Sequence, residues 1–149
     1  MIHHRPGIAA LIVLIPLFLL TAGCFGPPPP SETVPVSGSV SFAGEPLTSG
    51  MVSFIAVAGD GGSSRPASAP IQGDGTYKAS TFKAGDGMIP GQYKIVVTSE
   101  EQLTVEVRAA GKKPVSLIPK QYTSADQTPL TLDVESGTAP VIHNIELTK

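Results

Sequence analysis

The chain has 149 residues, a formal net charge of −2, one cysteine and no tryptophan. Setting aside residues 1–23, which hold one basic residue (Arg5), leaves 126 residues with nine Lys and Arg against twelve Asp and Glu, a net charge of −3. That length suits one domain with a sizeable core, the acidic balance excludes a basic footprint for nucleic acid, and a lone cysteine excludes an internal disulfide.

The first segment has three parts. Positive charge lies in Met1–Gly7, an apolar stretch runs from Ile8 to Leu20 around Pro16, and the small residues Thr21, Ala22 and Gly23 precede Cys24. This is the layout of a secretory signal peptide. The apolar stretch is shorter than the roughly 20 residues that span a bilayer.

Ala22-Gly23-Cys24 resembles the lipobox of bacterial lipoproteins, although Thr21 stands where that family prefers leucine. The resemblance implies cleavage between Gly23 and Cys24, a thioether-linked diacylglycerol on Cys24, and acylation of the new N-terminus by a chain such as palmitate. It also implies an extracytoplasmic protein held on a bacterial cell or outer membrane. Two or three acyl chains anchor stably where one is marginal, at about 0.8 kcal/mol per buried methylene. The alternative is a soluble exported protein whose cysteine is incidental, carrying an exposed thiol.

Residues 24–33 include Pro27-Pro28-Pro29-Pro30. Consecutive prolines favour an extended spacer of about 3.1 Å per residue, which sets the domain roughly 25 Å from the lipid. A disordered tether would serve the same purpose.

From residue 34 to 149 the pattern is one of strands and turns. Val36, Val40 and Phe42 share a face opposite Ser37, Ser39 and Ser41, and Ala43-Gly44-Glu45-Pro46 marks a turn. Val52, Phe54 and Ala56 follow, with Ile55 and Val57 making that strand apolar on both faces. Tyr77–Phe82 and Tyr93–Thr98 are further predicted strands. Leu103, Val105 and Val107 alternate with polar neighbours, as do Leu130, Leu132 and Val134, and a last strand is predicted over Val141–Leu147. No segment after residue 23 shows a helical period. The expected fold is an all-β sandwich, with Ser99–Thr128 the segment whose path the pattern leaves open.

Val36–Leu47, Gly73-Asp74-Gly75-Thr76-Tyr77 and Pro90-Gly91-Gln92-Tyr93-Lys94-Ile95-Val96-Val97 follow in the order seen in carboxypeptidase regulatory-like domains. The chain is similar to these over about residues 34–98. The resemblance implies a small transthyretin-like or Ig-like antiparallel sandwich. The tail resembles that of small bacterial lipoproteins built on the module, in which an Ile-Pro-x-x-Tyr segment (Ile118–Tyr122) precedes two final strands.

Residues able to carry chemistry are few. Gly-Asp-Gly triplets centre on Asp60, Asp74 and Asp86. Clustered carboxylates can hold calcium, but Asp and Gly also form turns on their own account, and turns are the expected role. His143 shares a face with Val141, Ile145 and Leu147, the place of a packed histidine, and no other His follows residue 23 to complete a metal site. Asn144 suggests the Lys–Asn isopeptide bond of pilin and adhesin sandwiches, which normally takes a Lys from the first strand. Here no Lys follows residue 23 before Lys78. The resemblance to a transthyretin-like purine-pathway hydrolase fails at that enzyme's histidines and C-terminal signature. No Gly-x-Ser-x-Gly elbow or phosphate-binding loop occurs. Most of Phe25, Phe42, Phe54, Phe82, Tyr77, Tyr93 and Tyr122 fall toward a core. Tyr122, in an irregular segment, is the one of these nearest to an exposed place, and a packing or corner tyrosine is its expected role.

These readings converge on an anchored envelope module without catalysis or cofactor. Its expected partners are the membrane, through Cys24, and an envelope protein or polysaccharide. An accessory subunit that pairs by an edge strand and an envelope hydrolase using His143 are the alternatives.

Overall fold

Alternation of valines with serines makes Val36–Phe42 (β1) a strand with one wet face: Val36 and Val40 are buried while the serines between them are not. The computed structural model describes residues 32–57 and 65–149. The expected signal segment, Cys24, the prolines and the Asp60 turn lie outside the described residues.

Ala43 and Gly44, both at positive φ, turn the chain into Glu45–Pro46 (β2), which pairs back on β1. Met51–Ala56 (β3) follows, then Ala67–Pro70 (β4), Thr76–Lys78 (β5) and Gly91–Thr98 (β6). A short helix Val105–Ala109 (α1) and a 3-10 turn Lys120–Thr123 precede Thr131–Val134 (β7), Val141–Ile142 (β8) and Ile145–Leu147 (β9).

The described strands form two sheets, giving the all-β sandwich. One runs β4-β3-β6-β7 and is antiparallel throughout. In the other, β1 is central, with β2 and β5 antiparallel on one edge and β8 and β9 parallel on the other. Between the sheets, Phe54, Tyr93, Ile95 and Val97 are fully buried. The Phe54 and Tyr77 rings meet at 6.0 Å between centroids, tilted by 43°, a separation typical of packed aromatic pairs.

The two ends of the sandwich differ. Val34 exchanges backbone hydrogen bonds with Met88 at 2.7 and 2.9 Å, so the chain comes in beside the start of β6. At the far end Leu147 pairs with Phe42, and the Tyr122 hydroxyl bonds Thr148 at 3.1 Å. Ile118 and Tyr122, the pegs of the Ile-Pro-x-x-Tyr segment, are buried there. Tyr122 is therefore a packing residue, the role expected of it. The described aromatic that lies most exposed is Phe82, with the Arg65 guanidinium 5.7 Å from its ring centre.

Three predicted strands are redrawn. Tyr77–Phe82 keeps strand geometry only to Lys78, with a bridge at Ser80, because Asp86 draws the backbone N–H groups of Thr81, Phe82 and Lys83 into a loop. Val141–Leu147 is interrupted at His143 and Asn144. The alternating stretch Leu103–Val107 is no strand. Thr104 caps α1 by accepting the Val107 N–H at 3.4 Å, Glu106 and Arg108 sit at the ends their charges favour, and Gly111 at φ +84° ends the turn. With no neighbouring strand to pair with, local capping decides the conformation.

Candidate functional site

The interruption at His143–Asn144 brings two sequence-predicted residues together against β1. The His143 carbonyl lies over Gly38, so close that a Cβ at Gly38 would overlap it. The Tyr77 hydroxyl donates to that carbonyl at 2.7 Å, and the His143 N–H donates to the Ser37 carbonyl at 2.8 Å. Asn144 then replaces a missing ladder acceptor: its Oδ1 takes the Ser39 N–H and the Ser39 hydroxyl, each at 3.1 Å. The break in β8–β9 thus keeps the His143 main chain and the Ser39 N–H bonded, as a sheet requires. Burial pushes the Tyr77 phenol well above its ordinary value, and burial pulls the His143 imidazole below its ordinary 6.5.

This arrangement assigns structural work to both residues. His143 acts through its main chain. Asn144 and Lys78 lie on opposite sides of β1, because Lys78 pairs with Ser37 from β5 while Asn144 binds Ser39 from the β8–β9 side. The strand between them separates the pair that an isopeptide bond would join.

The two described Gly-Asp-Gly turns use their carboxylates internally. Asp74 accepts the Thr76 hydroxyl at 2.7 Å and the Thr76 N–H at 2.9 Å, which hold its carboxyl below the usual range. For Asp86, partial burial works to raise the carboxyl, but the N–H groups of Thr81, Lys83 and Phe82, at 2.8–3.0 Å, outweigh it and keep it low. Gly87 follows at φ +93°, where a Cβ would overlap the Val34 carbonyl, a place that only glycine fits. Among the described residues, no three His, Cys, Asp or Glu side chains gather as a metal site.

The third region is the excursion between β6 and the 3-10 turn, which sequence alternation misread. Its base is a short ladder: the Glu101 N–H donates to Val115 and the Leu117 N–H to Ser99, each at 2.9 Å. Buried Ser99 fixes that base by donating its hydroxyl to the Ser49 carbonyl at 2.8 Å. Beyond it, Val105 is 80% exposed, Val115 60% and Leu117 49%. Arg108, Lys112 and Lys113 lie on the same excursion, and Lys112 approaches Glu101 at 3.4 Å. Leu103, Val105, Arg108 and Ala109 line an open hollow on its surface. The local signals for this turn of helix were present in Thr104, Glu106, Arg108 and Gly111.

Compared with family models, curated proteins and solved structures, the chain finds no match. Among the described residues, no helix is long and apolar enough to cross a membrane.

Proposed function

We propose that this protein is a lipid-anchored, extracytoplasmic module of a bacterial envelope, attached through Cys24 and non-enzymatic. In this reading the sandwich is transthyretin-like and supports structure or binds an envelope protein or polysaccharide. The observation that carries it is the Thr21-Ala22-Gly23-Cys24 step behind an apolar run, with the only cysteine of the chain at its end. The described sandwich begins its pairing at Val34, ten residues beyond Cys24, which leaves a proline-rich spacer between anchor and domain. The non-enzymatic role rests on the sparse set of ionisable side chains and on the structural employment of His143, Asp74 and Asp86 described above.

Edge-strand pairing has weaker support. The end strand β7 has four residues and carries Asp133, and short charged edges resist strand addition. Metabolic labelling with a fatty-acid probe tests the anchor: the parent chain incorporates the probe and the Cys24→Ser variant does not. Equal labelling of both would refute attachment at Cys24.

A further inference from the structure

The excursion 99–117 combines exposed aliphatic side chains with basic ones. Several large aliphatic side chains, Val105, Val107, Val115 and Leu117, stand in solvent on one projecting element, while the other exposed ones, Met51, Ile55, Val57 and Ile142, lie on or beside β3 and on β8. Exposed apolar side chains clustered in this way mark an interaction surface. The tip of the element carries positive charge and its base negative charge. Residues 103–115 hold Arg108, Lys112 and Lys113 against Glu106, a net +2, while Glu100 and Glu101 at the base bring residues 99–117 to zero and Glu101 lies 3.4 Å from Lys112.

Charge decides the occupant. A purely aliphatic tip would suit any apolar partner, and a purely basic one any polyanion. Aliphatic side chains flanked by Arg and Lys match a surface that is apolar below and anionic above, which is the interface of an acidic bilayer. Long basic side chains cover apolar area with their stems and keep their charges at headgroup level. No part of α1 is buried against the sandwich, so its side chains can enter lipid without breaking the core.

We infer that the 103–115 tip docks onto anionic phospholipid, inserting Val105 and Val115 while Arg108, Lys112 and Lys113 face the headgroups. This deepens the anchored-module reading, on which it rests for access to a membrane. The tip lies at the end of the sandwich opposite Val34, where the chain comes in from the spacer. A domain tethered at one end and docked at the other lies along the bilayer, not upright on it.

The absence of tryptophan from the chain makes a direct test available. The full chain carrying Val105→Trp is purified from bacterial membranes and reconstituted into vesicles of phosphatidylcholine alone or with phosphatidylglycerol. Mass spectrometry of the N-terminal peptide reads the state of Cys24 separately, so loss of the anchor and loss of docking are distinguished. If Cys24 proves unmodified, the same emission readings apply to the chain mixed with these vesicles. Docking predicts a blue-shifted emission and quenching by brominated lipid in the acidic vesicles only. Adding Lys112→Glu and Lys113→Glu should weaken the response about tenfold or more, since each basic residue near an acidic surface contributes on the order of 1 kcal/mol. Identical emission in both vesicle types would overturn the proposal. A blue shift that follows protein concentration and ignores lipid composition would also overturn it, and would assign the tip to a second copy of the chain.

Discussion

The β1–β8/β9 seam and the 99–117 excursion place their side chains in opposite ways. In the seam, residues about 105 positions apart in sequence meet so closely that only a glycine fits at position 38, and the His143 carbonyl and N–H and the Asn144 Oδ1 all have partners. In the excursion, neighbours in sequence cap and pair with one another while aliphatic side chains remain in water. The difference separates two uses of apolar and polar groups. The seam spends specificity on holding the fold, and its histidine and asparagine, which look like chemistry in the sequence, are joinery. The excursion contributes little to the core and is the described region free to meet something else.

Breaking the seam should have the largest effect. Gly38→Ala drives a methyl group into the His143 carbonyl, and neither backbone can give way without dissolving the parallel pairing. A loss of about 3 kcal/mol or more is expected, read as a fall in the denaturation midpoint or as failure to fold. Tyr77→Phe is milder. It keeps the ring against Phe54 but leaves the His143 carbonyl without its donor, which should cost about 1–2 kcal/mol in chemical denaturation.

Asp86 lies between the two regions in consequence. Its carboxylate holds a loop that includes exposed Phe82, through three amide hydrogen bonds. Asp86→Ala should cost about 1 kcal/mol at neutral pH, the partial exposure of the site reducing what charged hydrogen bonds can contribute. The folded carboxyl titrates below its ordinary 3.8. Its contribution is therefore fully present above 3.8 and is lost as pH falls through the lower folded value. The gap between parent and variant should close in strong acid, which a pH series of thermal melts would read. A gap that stayed constant down to pH 2 would mean that the carboxylate charge is not what holds the loop.

Much of the sandwich is legible in the sequence. Period-2 alternation locates β1, β3, β6 and β7 because each has one face on the core and hydrophobic residues mark it directly. The packing role of Tyr122 is legible too, although its hydrogen bond to Thr148, 26 residues further on, is not. The seam is not legible. Nothing local says that Gly38 must clear a path for a carbonyl from His143, or that Asn144 stands in for a strand acceptor. Leu103, Val105 and Val107 mislead for a different reason. Alternation signals a strand only where another strand is there to pair with it, and here Thr104 captures a backbone N–H first.

Hydrogen exchange on the full chain, free of vesicles, tests the contrast between these regions most directly. If the fold is held at the seam, the amides of Ser39, Ala79 and Val141 should exchange only with global unfolding, while those of residues 105–113 exchange orders of magnitude faster through local opening. Protection of 105–113 equal to that of the seam would contradict the account, because the excursion would then be part of the cooperative core and not a free surface.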